Sequence, residues 1–68
     1  MADHVANHVQ SERQKHHLTQ EDLARTVGVT RQTIIAIEKG NYTPSVYLAL
    51  RLAQYFKTNV EKLFVIED

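Results

Sequence analysis

The segment Leu18-Thr-Gln-Glu-Asp-Leu-Ala-Arg-Thr-Val-Gly-Val-Thr-Arg-Gln-Thr-Ile-Ile-Ala-Ile-Glu-Lys-Gly40 carries the punctuation of two short helices joined by a tight turn. Thr19 followed by Asp22 is a capping-box-like start: the hydroxyl satisfies an orphan helix N–H, and the acid complements the positive helix end. Leu23, Ala24 and Val27 recur at helical spacing, and Gly28 can stop the run in a left-handed conformation at little cost. The spacing therefore predicts a helix over about Gln20 to Val27. Val29 is apolar enough to tuck the turn into the core, and Thr30 has the chemistry of the next N-cap. A second helix is expected from Arg31, with Ile34 and Ile37 on the buried face and Arg31, Gln32, Ile35 and Ala36 elsewhere. Gly40 ends it.

Working outward, the remaining chain reads as three further helices. Val5, Ala6 and Val9 suggest one from about His4 to His16, although Glu12 interrupts its apolar stripe. Thr43 is taken as an N-cap with Pro44 at the first helical position, where a missing N–H costs nothing. Leu48, Ala49, Leu52, Ala53 and Phe56 form the apolar face that follows. Asn59 can cap a last short helix through about Phe64. No strand-like alternation of useful length, internal repeat or low-complexity segment is evident, so the expected fold is all-α, with five helices in one domain over residues 1–68.

Length and composition narrow the function classes. A 68-residue chain buries only about 60% of the surface it exposes when unfolded, and with no cysteine it has no disulfide or zinc-thiolate staple. Homodimerisation is the expected supplement. The terminal apolar run Leu63, Phe64, Val65 and Ile66, within a segment of about 59–68, is the candidate surface, against the alternative that it covers the domain's own core. There is no apolar signal region and no run near the roughly 20 apolar residues that span a membrane, which points to a cytoplasmic chain. No nucleophile, base and oxyanion donor stand in a recognisable order, so an enzyme is not expected. His4 and His8 would be i, i+4 neighbours on a helix, with His16 and His17 nearby, but no recognised metal spacing occurs; no metal and no cofactor are expected.

Net charge is zero, from eight Lys or Arg and eight Asp or Glu. The sum hides a gradient: Arg25, Arg31, Lys39, Arg51 and Lys57 share the middle of the chain with one acid, Glu38, while the other acids lie toward the ends. Scattered charge on a solvated surface would give the same counts. Local placement matters more here than the total.

Leu18-Thr-Gln-Glu-Asp-Leu-Ala, Val27-Gly-Val-Thr-Arg-Gln-Thr-Ile, Ile37-Glu-Lys-Gly and Pro44-Ser-Val, in this order and at these separations, resemble the Cro/repressor-type helix-turn-helix family of transcriptional regulators. The resemblance covers about Val9 to Phe64. It implies a five-helix repressor domain and a double-stranded DNA partner, the second motif helix lying in the major groove. On that basis Arg31 and Gln32 are the expected base readers, with Thr33, Ile35 and Ala36 as secondary positions. Ile35 can touch a thymine methyl or pad the helix. Gln20, Thr30, Lys39, Asn41, Tyr42 and Thr43 are the expected phosphate contacts, Gln20 also bracing Gln32. Arg13 and Glu38 match a structural ion pair. His17 and Lys57 stand where relatives often have Gly, and Glu12 where they have a core Leu. The rival class is a protein-interaction module, such as an antitoxin or coactivator-type domain with a separate protein partner.

Overall fold

The computed structural model describes residues 4–67. The five helices form. They are α1 (Val9–Lys15), α2 (Gln20–Val27), α3 (Arg31–Glu38), α4 (Val46–Tyr55) and α5 (Val60–Leu63). The all-α expectation is corrected at the two ends, where β1 (His4–Asn7) and β2 (Phe64–Glu67) pair in an antiparallel sheet with Val5 opposite Ile66 and Ala6 opposite Val65. Each strand is only four residues long, so neither carries a visible alternation. Their β-branched residues gain from pairing across the sheet, which neither segment could do alone.

The first helix is correspondingly shorter than expected, and residues 4–7 of the expected His4–His16 span are strand. His4 therefore lies on β1, 3.3 Å from Glu67 across the sheet, and does not share a helical face with His8. The start of α4 is also corrected. Ser45, with φ −61° and ψ 160°, is its N-cap and accepts from the Leu48 N–H at 3.1 Å, so Thr43 and Pro44 remain in the preceding loop. Ser outranks Thr as an N-cap, and its oxygen is the one in register with the helix.

Helix interiors and ends follow the sequence closely. Thr19 accepts from the Asp22 N–H at 3.0 Å while the Asp22 carboxylate accepts from the Thr19 N–H at 3.2 Å, completing the capping box. That backbone hydrogen bond from Thr19, followed by the bond from its side chain and by the Arg25 charge, holds the Asp22 pKa below the ordinary aspartate range. At the other end of α2, Gly28 has φ +79°. The fully buried core side chains Val9, Leu23, Ile34, Ile37, Leu52 and Leu63 come from all five helices. Glu12, at the expected core position, instead pairs with Lys15 at 3.2 Å on the surface. Behind it, the His16 ring rests 5.1 Å from the Phe56 ring and its Nδ1 is 2.8 Å from the Glu12 carbonyl.

Three helices close with one hydrogen-bond pattern. After α1, His17 N–H donates to Gln14 O and Leu18 N–H to Arg13 O; after α3, Gly40 N–H donates to Ile37 O and Asn41 N–H to Ala36 O; after α4, Lys57 N–H donates to Gln54 O and Thr58 N–H to Ala53 O. Each is a Schellman closure whose central residue must be left-handed. Gly40 adopts φ +79° freely, but His17 at +57° and Lys57 at +58° do so against their Cβ atoms. A left-handed L-residue costs about 1–2 kcal/mol, partly offset in a glycine variant by about 0.5–1 kcal/mol of extra chain entropy. Lys57→Gly should therefore stabilise the fold by roughly 0.5–1 kcal/mol, read as a midpoint a few degrees higher in thermal unfolding. Gly28→Ala should lower the midpoint although no atom lies within 4 Å of the added Cβ, because the penalty is in the backbone.

Candidate nucleic-acid interface

Thr30 begins α3. With φ −85° and ψ 160°, its hydroxyl accepts from the Thr33 N–H at 3.3 Å and lies 3.1 Å from the Thr33 hydroxyl. The helix then buries Ile34 and Ile37 completely and turns its first residues, Arg31 and Gln32, to solvent. Thr33, Ile35 and Ala36 are half-buried along its flank. Beyond Glu38, the exposed residues Lys39, Asn41, Tyr42 and Thr43 continue the same surface. Eight residues separate Arg31 from Lys39, a rise of about 12 Å, which is about the width of a B-DNA major groove.

Several cations are committed to partners. Arg13 is tied to Glu38, Lys15 to Glu12, and Arg25 to Asp22 at 3.1 Å. Arg51 donates to Tyr47 Oη at 2.9 Å and to Thr26 O at 3.3 Å, closing the exposed end of α2. Among the described residues neither Arg31 nor Lys39 enters an ion pair, so the two ends of α3 each present an uncompensated positive charge. Arg31 lines a shallow hollow with Arg13, Thr19, Gln20 and Glu21, at the junction of the two motif helices.

A buried polar knot fixes that junction. Arg13 Nε donates to Glu38 Oε2 at 2.7 Å, Arg13 Nη2 to Glu38 Oε1 at 3.2 Å, and Arg13 Nη1 to Leu18 O at 2.8 Å. The two side chains are only 11% and 4% exposed. Gln20 Nε2 donates to Glu38 Oε1 at 3.1 Å. The expected brace from Gln20 to Gln32 is replaced, among the described residues, by this bond to Glu38. A buried carboxylate is a stronger acceptor than an exposed amide, and Glu38 Oε1 draws Gln20 inward even while it pairs with Arg13.

Two contributors escaped the sequence reading. Arg51 was counted only as charge. Asn7 was placed inside a helix, yet its Oδ1 accepts from Val9 N–H at 3.1 Å and its Nδ2 donates to Ile37 O at 2.8 Å, at the rear of α3. The available signal was an asparagine just ahead of an apolar helical stripe, the pattern of a cap. Beside Asn7, Leu63 is fully buried in the core and Phe64 is half-buried, leaving Val65 and Ile66 as the exposed part of the terminal apolar run, next to Thr43 and Pro44. Val46 and Leu50 form a second exposed apolar strip on α4, edging a groove floored by Ala53 and Val60.

A helix-turn-helix family model matches residues 9–63. An uncharacterized HTH-type transcriptional regulator of Methanocaldococcus jannaschii is 53% identical over 64 residues, covering 94% of this chain and 97% of the relative. One from Methanothermobacter thermautotrophicus is 54% identical over 52 residues, 75% of each chain. One from Bacillus subtilis is 47% identical over 64 residues, again 94% of this chain and 97% of the relative.

Removing Glu38 as Glu38→Ala should destabilise the domain by about 3–5 kcal/mol, because Arg13 is left charged and buried. Replacing both partners, as Arg13→Met with Glu38→Leu, should cost much less. Chemical denaturation of the three proteins measures the difference; equal losses for single and paired variants would mean that the pair is not what is being broken.

Proposed function

Because the chain belongs to the Cro/repressor-type helix-turn-helix family of DNA-binding transcriptional regulators, we propose that it reads a specific sequence in double-stranded DNA with α3 in the major groove, acting as a homodimer. The observation that carries this reading is the pair Arg31 and Gln32, exposed on the first turn of a helix whose opposite face is locked into the core. A guanidinium matches guanine O6 and N7 in two-point fashion, and a Gln amide matches adenine N6 and N7, each pair discriminating by about 1–3 kcal/mol. Ile35 and Ala36 offer an apolar edge to a thymine methyl. The Thr30 and Thr33 hydroxyls share one hydrogen between them, which leaves the other for a base or phosphate oxygen.

The phosphate contacts assigned to this reading flank the helix. Lys39, Asn41, Tyr42 and Thr43 lie beyond its end, and Gln20 lies at the start of α2. An amide nitrogen carries two hydrogens, so the bond from Gln20 to Glu38 leaves one for a phosphate. These contacts set register and affinity rather than sequence preference. A homodimer would present two such helices to successive major grooves about 34–36 Å apart. Val65 and Ile66 at the C-terminal end support the dimer surface, Leu63 being spent on the core. The exposed Val46–Leu50 strip favours a second reading, in which that face receives a different protein and the domain works as an interaction module.

Selection from random duplex DNA should enrich a two-fold symmetric site. Arg31→Ala should relax preference at one base of each half-site, whereas Lys39→Ala should weaken all sequences alike and reduce the salt slope by about one. Folded protein that enriches no half-site would overturn sequence-specific reading. Sedimentation should give the mass of a dimer, reduced to that of a monomer by Ile66→Glu. A dimer lost only with Leu50→Glu would move the interface to α4, and a monomer throughout would favour the interaction module.

A further inference from the structure

The end of α3 is gripped from behind by the strand nearest the N-terminus. An asparagine amide has one donor side and one acceptor side, and at Asn7 both are used: Oδ1 takes the Val9 N–H at 3.1 Å, and Nδ2 reaches the Ile37 carbonyl at 2.8 Å. The two bonds fix the amide in a single orientation. Reversing it would set oxygen against carbonyl and NH2 against N–H. Asn7 is itself positioned, because it lies in register with Phe64 in the sheet and the next residue, His8, donates its N–H to Leu63 O at 2.9 Å.

What Asn7 holds is the closing turn of the reading helix. The Ile37 carbonyl also accepts from Gly40 N–H at 2.9 Å, and Asn41 N–H closes on Ala36 O at 2.9 Å. These two amides set the path of the backbone into Asn41, Tyr42 and Thr43. A helix-terminal carbonyl has no intrahelical partner of its own, and one fixed from outside becomes a point at which the helix end is located in space. Among the described residues the N-terminal end of α3 has no such tie; Thr30 and Thr33 hold it internally.

We propose that Asn7 is a positioning residue for DNA binding: through Ile37 it sets where the loop after the reading helix meets the phosphate backbone, while leaving base preference at Arg31 and Gln32 unchanged. The terminal sheet is thus part of the phosphate clamp at one remove. This rests on the DNA-reading assignment above.

The informative variant is Asn7→Asp, which keeps the acceptor for Val9 N–H and the capping chemistry but replaces the donor with an oxygen facing the Ile37 carbonyl. Asn7→Ala removes both bonds and serves where the repulsion unfolds the chain. Two measurements apply to whichever variant shows a native circular dichroism spectrum. Without DNA, amide exchange at Gly40 and Asn41 should quicken by roughly tenfold relative to α2 amides. With DNA, affinity for the selected site should fall by about fivefold to tenfold and the salt slope by about one, with the same sequence enriched from random duplexes. A folded variant with wild-type exchange and salt slope would overturn the positioning role alone, as would a changed base preference. A wild-type chain that retains no duplex DNA at low salt would overturn the DNA-reading assignment, and this role with it.

Discussion

The contact on which the domain depends is the meeting of Arg13 with Glu38. It joins α1 to the last residue of α3, and through Leu18 O and Gln20 Nε2 it also takes in the entry to α2. A buried ion pair contributes little net stability against an apolar replacement of the same shape. Its value is directional. Apolar packing tolerates a helix turned by some degrees about its axis, whereas a two-point guanidinium–carboxylate contact with two further polar partners does not. For α3, which turns Arg31 and Gln32 to solvent, that restriction on rotation matters more than the energy, and in the DNA-reading role proposed above it would set the angle at which the two are presented.

The same economy shows at the helix ends. A chain this small has few apolar side chains to spend, and four of its helices gain order from side-chain caps at Thr19, Thr30, Ser45 and Asn59. Each cap is worth about 1 kcal/mol, a large share of what a domain of this length can hold in reserve. The left-handed turns at His17 and Lys57 draw on the same reserve without obvious local return. Solvent-facing side chains at these turns keep charge or polarity where glycine would expose only backbone.

Much of this was legible in the sequence because it is local. Thr19 with Asp22, Gly28, Thr30 and Gly40 are short-range signals, and α2 and the start of α3 lie where they predict; the burial of Leu23, Ile34, Ile37 and Leu52 followed from spacing alone. What was missed is non-local or finely balanced. Val5-Ala6 and Val65-Ile66 become strands only because the intervening helices bring them together, and neither has a pattern to announce it. Ser45 in place of Thr43 is a choice between two adequate caps. The roles of Asn7 and Gln20 depend on which carbonyl or carboxylate tertiary packing brings within reach. Of the candidate interface, the exposure of Arg31, Gln32 and Lys39 was readable, and so, from the family resemblance, was the Arg13–Glu38 pair behind them, while the bonds of Gln20 and Asn7 were not.

The pairing of His4–Asn7 with Phe64–Glu67 has a consequence in time as well as in space. The caps and glycines that bound α2 and α3 act within a few residues, whereas the sheet closes a contact between segments far apart in the chain and so belongs to the slow part of folding. A folding chain can therefore hold the α2–α3 turn before it holds the sheet from which Asn7 ties the Ile37 carbonyl at the end of α3.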